Sequence, residues 1–209
     1  MKKRWIALLL MIPGVFLTYV AYTQLDISVA YTCRGLSRSV LDIAEIITNA
    51  GDSKWYFILF VPAFLIFHFI LKNKNWSMKM LFLVIAISSS GLINMLIKWI
   101  AGRNRPINLF NHGLFGFDYF KAGYELNSFP SGHSVTAFSL AAALSILFPR
   151  FGVLAFIPAT AIALSRVIIT SHYVSDVIAG AAIGTVCTLA VKYYFDRFKI
   201  ELAPRSEVS

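Results

Sequence analysis

Six long apolar runs decide what this chain can become. They fall at about residues 5–23, 55–71, 80–100, 133–147, 152–170 and 175–194. Roughly 20 apolar residues is the length an α-helix needs to cross a hydrocarbon core. Inside lipid every backbone N–H and C=O must be satisfied within the protein, so such runs are helices or strands of a closed barrel. They lack the alternating pattern of barrel strands. The expected fold is therefore all-α: an integral membrane bundle of six transmembrane helices, forming one membrane-embedded domain over residues 1–209. A composition that is 58% hydrophobic and only 14% charged excludes an ordinary soluble domain.

The net charge of +9 does not point to nucleic acid, because the Lys and Arg residues lie between apolar runs and form no solvated basic face. Their placement sets an orientation instead. With the N-terminus inside, Lys2, Lys3, Arg4, Lys72, Lys74, Lys79, Arg150, Lys192, Arg197, Lys199 and Arg205 share the inner side. Arg34, Arg38, Lys54, Lys98, Arg103, Arg105, Lys121 and Arg166 share the outer side. Both termini are then cytoplasmic. The first run is read as an uncleaved anchor, although Ser28-Val29-Ala30 offers a signal-peptidase pattern beyond it. Cys33, in an expected loop, and Cys187, inside an apolar run, suggest neither a bridge nor a metal site.

Between the first two runs, Leu36, Val40, Ile43 and Ile47 share one helical face and Asp42, Glu45 and Asn49 another, which predicts an amphipathic helix on the outer interface. The loop 111–127 holds Phe115, Phe117, Tyr119, Phe120 and Tyr124, expected as interfacial anchors. Gly91 with Ser88-Ser89-Ser90, and Gly180 with Gly184, read as close helix packing. Asn94 reads as a packing or orienting polar group, and His68 and His112 as structural.

Three polar segments remain, all on the predicted outer side. In Lys98-Trp-Ile-Ala-Gly-Arg-Asn-Arg105-Pro106, a persisting helix puts Lys98 and Arg105 on one face two turns apart, suited to a dianionic phosphate. Pro130-Ser131-Gly132-His133 opens the fourth run. Its free N–H groups and positive dipole end favour an anion, with Gly132 permitting close approach, the Ser131 hydroxyl adding a donor and His133 beside it. In Ser165-Arg166…His172…Asp176, a carboxylate four residues on can fix the imidazole tautomer and leave the other nitrogen nucleophilic. Singly, each also fits a structural role: snorkelling cations, a Ser cap, or a His–Asp pair closing a turn. Jointly they gather three cations, two histidines and a carboxylate at one membrane face. Those cations would repel a metal ion, so no metal or other cofactor is expected.

In this order, K-x6-R-P, P-S-G-H and S-R-x5-H-x3-D resemble the three signature motifs of the type 2 phosphatidic acid phosphatase (PAP2) superfamily, without departure at any motif position. The resemblance implies a bacterial membrane lipid phosphatase of PAP2 type in the cytoplasmic (inner) membrane, its site facing the outer, periplasmic side. It implies His172 as nucleophile forming a phosphohistidine, Asp176 orienting it and His133 as acid and base. Lys98, Arg105, Ser131, Gly132 and Arg166 would hold the phosphate oxygens. Arg103 is left as a headgroup contact. The substrate would be a lipid phosphate or pyrophosphate: undecaprenyl pyrophosphate, phosphatidylglycerol phosphate, phosphatidic acid or a lipid A phosphate. No obligatory protein partner is implied. Transfer of the phosphoryl group to an acceptor lipid, or a non-catalytic lipid-binding or transport role, are the alternatives.

Overall fold

The computed structural model describes residues 2–121 and 123–202, for residues 2–10 as backbone alone. Arg205 and the side chains of Lys2, Lys3 and Arg4, counted above among the inner cations, lie outside that description. Among the described residues the chain is helical and holds no β-strand. The helices are α1 (Lys2–Gln24), α2 (Asp26–Arg34), α3 (Arg38–Asn49), α4 (Ser53–Leu65), α5 (Lys74–Ala101), α6 (Pro106–His112), α7 (Gly132–Leu147), α8 (Phe156–Ile168) and α9 (Val174–Arg197). A π-turn at Ile66–Ile70 continues α4, and a 3-10 turn at Gly152–Ala155 leads into α8. The six expected spans correspond to α1, α4 with its π-turn, α5, α7, α8 and α9. Of these, α5 and α9 are long and apolar enough to cross a membrane alone, as is the stretch Arg38–Ile70, while α7 and α8 are shorter apolar helices.

Helices α7 and α9 form the centre. Gly180 and Gly184 make their contact possible: a Cβ at Gly180 would stand 2.7 Å from the Ser131 carbonyl oxygen, and one at Gly184 would stand 2.9 Å from the Ser139 nitrogen. The small-residue packing read from the sequence is thus present in α9. Between them Ser139 and Thr188 share a buried hydrogen bond of 2.9 Å. On one side α1 crosses α9, with Gly14 against Ala182. On another, α5 brings Met80, Phe82, Leu83 and Ala86 onto Ala143 of α7 and Val191 and Phe195 of α9. Helix α8 lies along α7 through Ala137, Ala141, Ala159 and Ile162, with Ile47 of α3 closing the cluster.

Two expectations are corrected. Gly91 makes no close contact, since a Cβ there would meet nothing within 4 Å; Ser89 and Ser90 bond to carbonyls of their own helix. Cys33 lies in α2, not in a loop, and both cysteines are free and buried. The amphipathic helix exists as α3; its protein-facing side is Ala44 and Thr48 with Ile47, because small residues let it approach α8 closely. Val40 and Ile43 point outward, together with Ile46. His68 is structural as expected, hydrogen-bonded to Ser77 at 3.2 Å and stacked on Phe64.

Candidate active site

All three polar segments gather at one end of the bundle. The K-x6-R-P segment gets there by a route other than the predicted one. Helix α5 stops at Ala101, and Gly102 takes a left-handed φ of 53°. A side chain at Gly102 would strike the carbonyl of Asp118, so only glycine lets the chain turn here. The helix therefore does not carry both cations on one face: Lys98 sits in the last turn of α5 and Arg105 is the residue that precedes α6. They still converge. Lys98 Nζ donates to the Asn127 carbonyl at 2.5 Å, and Arg105 donates to the same oxygen at 3.5 Å. The Arg105 guanidinium lies 4.1 Å from the centre of the Tyr124 ring. Burial holds its pKa below the ordinary guanidinium value.

Ser131 begins α7 and is fully buried. Its N–H donates to the Asp176 carbonyl at 3.0 Å, which fastens the start of α7 to the start of α9. Its Oγ accepts from the Ser134 hydroxyl at 3.1 Å, leaving the Ser131 proton free to be donated. The first-turn N–H groups of Gly132 and His133 have no acceptor within the helix, as helix geometry requires. Gly132 abuts Asn94 of α5: a Cβ there would lie 3.4 Å from Asn94 Nδ2. Asn94 is buried there, and its Oδ1 has no hydrogen-bond partner. The half-buried His133 ring rests on Gly51, where a Cβ would come within 2.9 Å of His133 Cδ2.

The third segment spans the turn from α8 to α9. Thr170 adopts a left-handed φ of 53°, and the N–H groups of Ser171 and His172 both donate to the Arg166 carbonyl, at 3.1 and 3.2 Å. His172 is consequently buried just before α9, with Asp176 in the first turn of that helix. His172 Nδ1 lies 3.4 Å from Asp176 Oδ2 without hydrogen-bond alignment. That side of the ring faces the carboxylate, so Nε2 is the nitrogen left for chemistry. Burial pushes the imidazole down to about 3, against the opposing effect of Asp176, so the ring is neutral. Arg166 donates to Thr48 Oγ1 of α3 at 2.9 Å. The Nε atoms of Arg105 and Arg166, like that of Arg103, are buried with no protein acceptor. Arg105 and Arg166 have no carboxylate paired with them among the described residues, so an anion is the natural partner for their charge.

Arg103 is corrected outright. It is fully buried and cannot touch a headgroup. It is paired with Asp176 and, at 2.6 Å, with Asp26 of α2. Five aromatic rings surround its guanidinium, among them Tyr173 at 4.6 Å and Tyr22 at 5.0 Å. Phe115 and Phe117, expected as interfacial anchors, belong to this cage, because a buried cation draws rings to itself. Tyr119, Phe120 and Tyr124 remain exposed as expected. The sequence reading also missed Asp26, Thr48, Gly51, Asn127 and Ser128. Asp26 alone carried a signal, a carboxylate three residues beyond an apolar run.

A neutral buried imidazole beside three cations and a helix N-terminus can hold a phosphoryl group and attack it. Comparison with known proteins points the same way. Residues 79–200 match the model of the PAP2 superfamily. A lipid A 1-phosphatase of Rhizobium johnstonii is 34% identical over 179 residues, covering 79% of this chain and 72% of that protein. A lipid A 1-phosphatase of Rhizobium etli is 33% identical over 180 residues, covering 79% and 77%. The fold is similar to that of a transmembrane PAP2-type phosphatidylglycerolphosphate phosphatase from Bacillus subtilis, with a TM-score of 0.67 at 23% identity over 93% of this chain and 97% of that one. It is similar also to LpxE of Aquifex aeolicus, with a TM-score of 0.61 at 21% identity over 81% and 96%. The chain belongs to the PAP2 superfamily and is an integral-membrane lipid phosphatase.

Proposed function

We propose that this phosphatase removes the phosphate of a lipid A-type glycolipid through a phosphohistidine on His172, without a metal. The observation that supports the chemistry is that Arg105 and Arg166, at the same bundle end as His172, have no paired carboxylate among the described residues and keep buried, unpartnered Nε donors. The two Rhizobium relatives support the substrate class. Lys98, Arg105, Arg166, Ser131 and the N–H of Gly132 grip the phosphate oxygens. His172 Nε2 attacks phosphorus in line, and the departing lipid oxygen takes a proton from His133. Water then attacks the phosphohistidine and gives its proton to His133, releasing inorganic phosphate. Phosphoryl transfer asks mainly for positioning and charge neutralisation, which these donors supply. His133 as acid contributes about 10²–10⁴-fold.

The domain is the whole chain, set in a bacterial inner membrane with the site facing the periplasm and both termini cytoplasmic. Lys72, Lys74, Lys79, Arg150, Lys192, Arg197 and Lys199 border the opposite ends of the spans, which supports that orientation. The membrane itself and the lipid are the only partners the activity needs.

The test is phosphate release by purified protein from a panel comprising lipid A, phosphatidylglycerol phosphate, phosphatidic acid and undecaprenyl pyrophosphate. Lipid A 1-phosphate should be cleaved fastest, with His172→Ala inactive and EDTA without effect. Release that survives His172→Ala, or that EDTA stops and a divalent ion restores, rules the scheme out. Radiolabel appearing on an acceptor lipid instead of as free phosphate would make it a transferase.

A further inference from the structure

Asp26 and Arg103 take no part in the scheme above, yet they form a fully buried ion pair whose other end is Asp176. We propose that they are positioning residues for the reaction: an Asp26–Arg103–Asp176 chain fixes the carboxylate beside His172 and keeps it able to support a cationic imidazole. This rests on the reading of His172 as nucleophile and Asp176 as its partner.

Asp176 is held at both oxygens. Oδ1 accepts from Arg103, while Oδ2 accepts from Ser128 Oγ at 2.5 Å and from the Tyr173 N–H at 2.9 Å. Arg103 is in turn fixed by Asp26 Oδ2 at 2.6 Å and by Ser175 Oγ at 2.7 Å. Asp26 also grips the residue before Asp176: its Oδ1 accepts from the Ser175 N–H at 2.9 Å and its Oδ2 from the Ser175 hydroxyl at 2.5 Å. Helix α2 therefore clamps the first turn of α9, although Asp26 lies outside the three motifs and outside the matched residues 79–200.

Charge gives the second argument. Arg103 with Asp176 alone would be a closed, neutral pair in a dry site. A second carboxylate on Arg103 leaves the trio one negative charge in surplus. Asp176 brings that surplus within 3.4 Å of His172 Nδ1. In the attack, the Nε2 lone pair forms the N–P bond, the P–O bond to the lipid breaks, and its electron pair leaves on the lipid oxygen, which takes the His133 proton. The imidazole keeps its Nδ1 proton and becomes cationic, so the surplus is neutralised as that charge develops. An electrostatic partner preorganised for developing charge favours the transition state over the ground state.

The test is a double-mutant cycle with the best-cleaved lipid phosphate of the panel. Asp26→Asn should lower kcat about tenfold with KM within about twofold. It should change kcat by less than about twofold in an Asp176→Asn background, because its effect runs through Asp176. Vanadate inhibition, which reads the phosphate-binding groups, should be unchanged, and phosphohistidine should form more slowly in a single turnover. Equal losses in both backgrounds, or no loss in either, overturn the inference. An Asp176→Asn protein with unaltered kcat overturns the underlying reading of the site, and the inference with it. If Asp26→Asn does not yield folded protein, Ser175→Ala carries the same cycle, since it removes two links and no charge. It should lower kcat several-fold only where Asp176 is present, and an unchanged kcat there overturns the inference.

Discussion

A single methyl group at Gly184 should separate the two halves of the site. A Cβ there would stand 2.9 Å from the Ser139 nitrogen and 3.2 Å from the Val135 carbonyl carbon, and closer still to the Val135 oxygen. Non-bonded heavy atoms rest at about 3.5–4.0 Å, so α7 and α9 must part by roughly 1 Å. Overpacking of this kind costs about 1–3 kcal/mol. Gly91→Ala is the built-in reference: it sits mid-helix in α5, and its Cβ would meet nothing within 4 Å. Both substitutions gain about 0.5–1 kcal/mol of helix stability, so the difference between them isolates the packing cost. At about 2–4 °C per kcal/mol for a chain of this size, Gly184→Ala should melt roughly 2–12 °C below Gly91→Ala in detergent. The parting also shifts the phosphate-binding start of α7 against His172 and Asp176 at the start of α9. A 1 Å misplacement costs about 100-fold, so Gly184→Ala should lose about 10- to 100-fold in kcat while Gly91→Ala keeps it. Equal melting temperatures and equal kcat for the two proteins would refute the claim that this contact sets the site.

Three further outcomes follow from the site. Thr48→Val removes the hydroxyl that Arg166 reaches at 2.9 Å; steady-state kinetics should show a several-fold rise in KM or fall in kcat/KM, the scale of about 1 kcal/mol for one lost hydrogen bond. Arg103→Leu strands Asp26 and Asp176 as buried, uncompensated carboxylates and should cost about 3–5 kcal/mol of stability, read as the loss of folded protein on size-exclusion chromatography. His172 titrates near 3 in the folded protein, because burial lowers it, against 6.5 in the unfolded chain. The unfolded state then binds more protons between those values, so stability is full above pH 6.5 and declines as pH falls toward 3. The melting temperature should drop over that window, and less steeply in His172→Gln.

The spans and the motif residues were legible because each is a local property: apolar run length, helix period and residue spacing. What was not legible depends on contacts far apart in sequence. Nothing around Gly102 shows that Asp118 would block a side chain there, so the straight-helix route for Lys98 and Arg105 looked sound although the chain breaks between them. Arg103 stands two residues from Arg105 and has the same chemistry, yet one is sealed and the other is half-buried over Tyr124. Their fates differ because Asp26, 77 residues away, meets only Arg103. Thr48 likewise reaches Arg166 across 118 residues, through a helix whose outward apolar face was the only side its pattern revealed.

The two fates divide the cations of this bundle end by chemistry. Arg103 is paired with two carboxylates and a serine beneath aromatic faces, so its charge is already neutralised, although its Nε is also buried without an acceptor. Arg105 and Arg166 differ from it in charge: among the described residues no carboxylate is paired with either. Such uncompensated, partly buried charges are costly in a folded protein unless an anion completes them. On the mechanism proposed above, the partition places binding energy on the phosphate side of His172 and rigidity on the carboxylate side. The imidazole, neutral and buried between them, is the one group that both sides address.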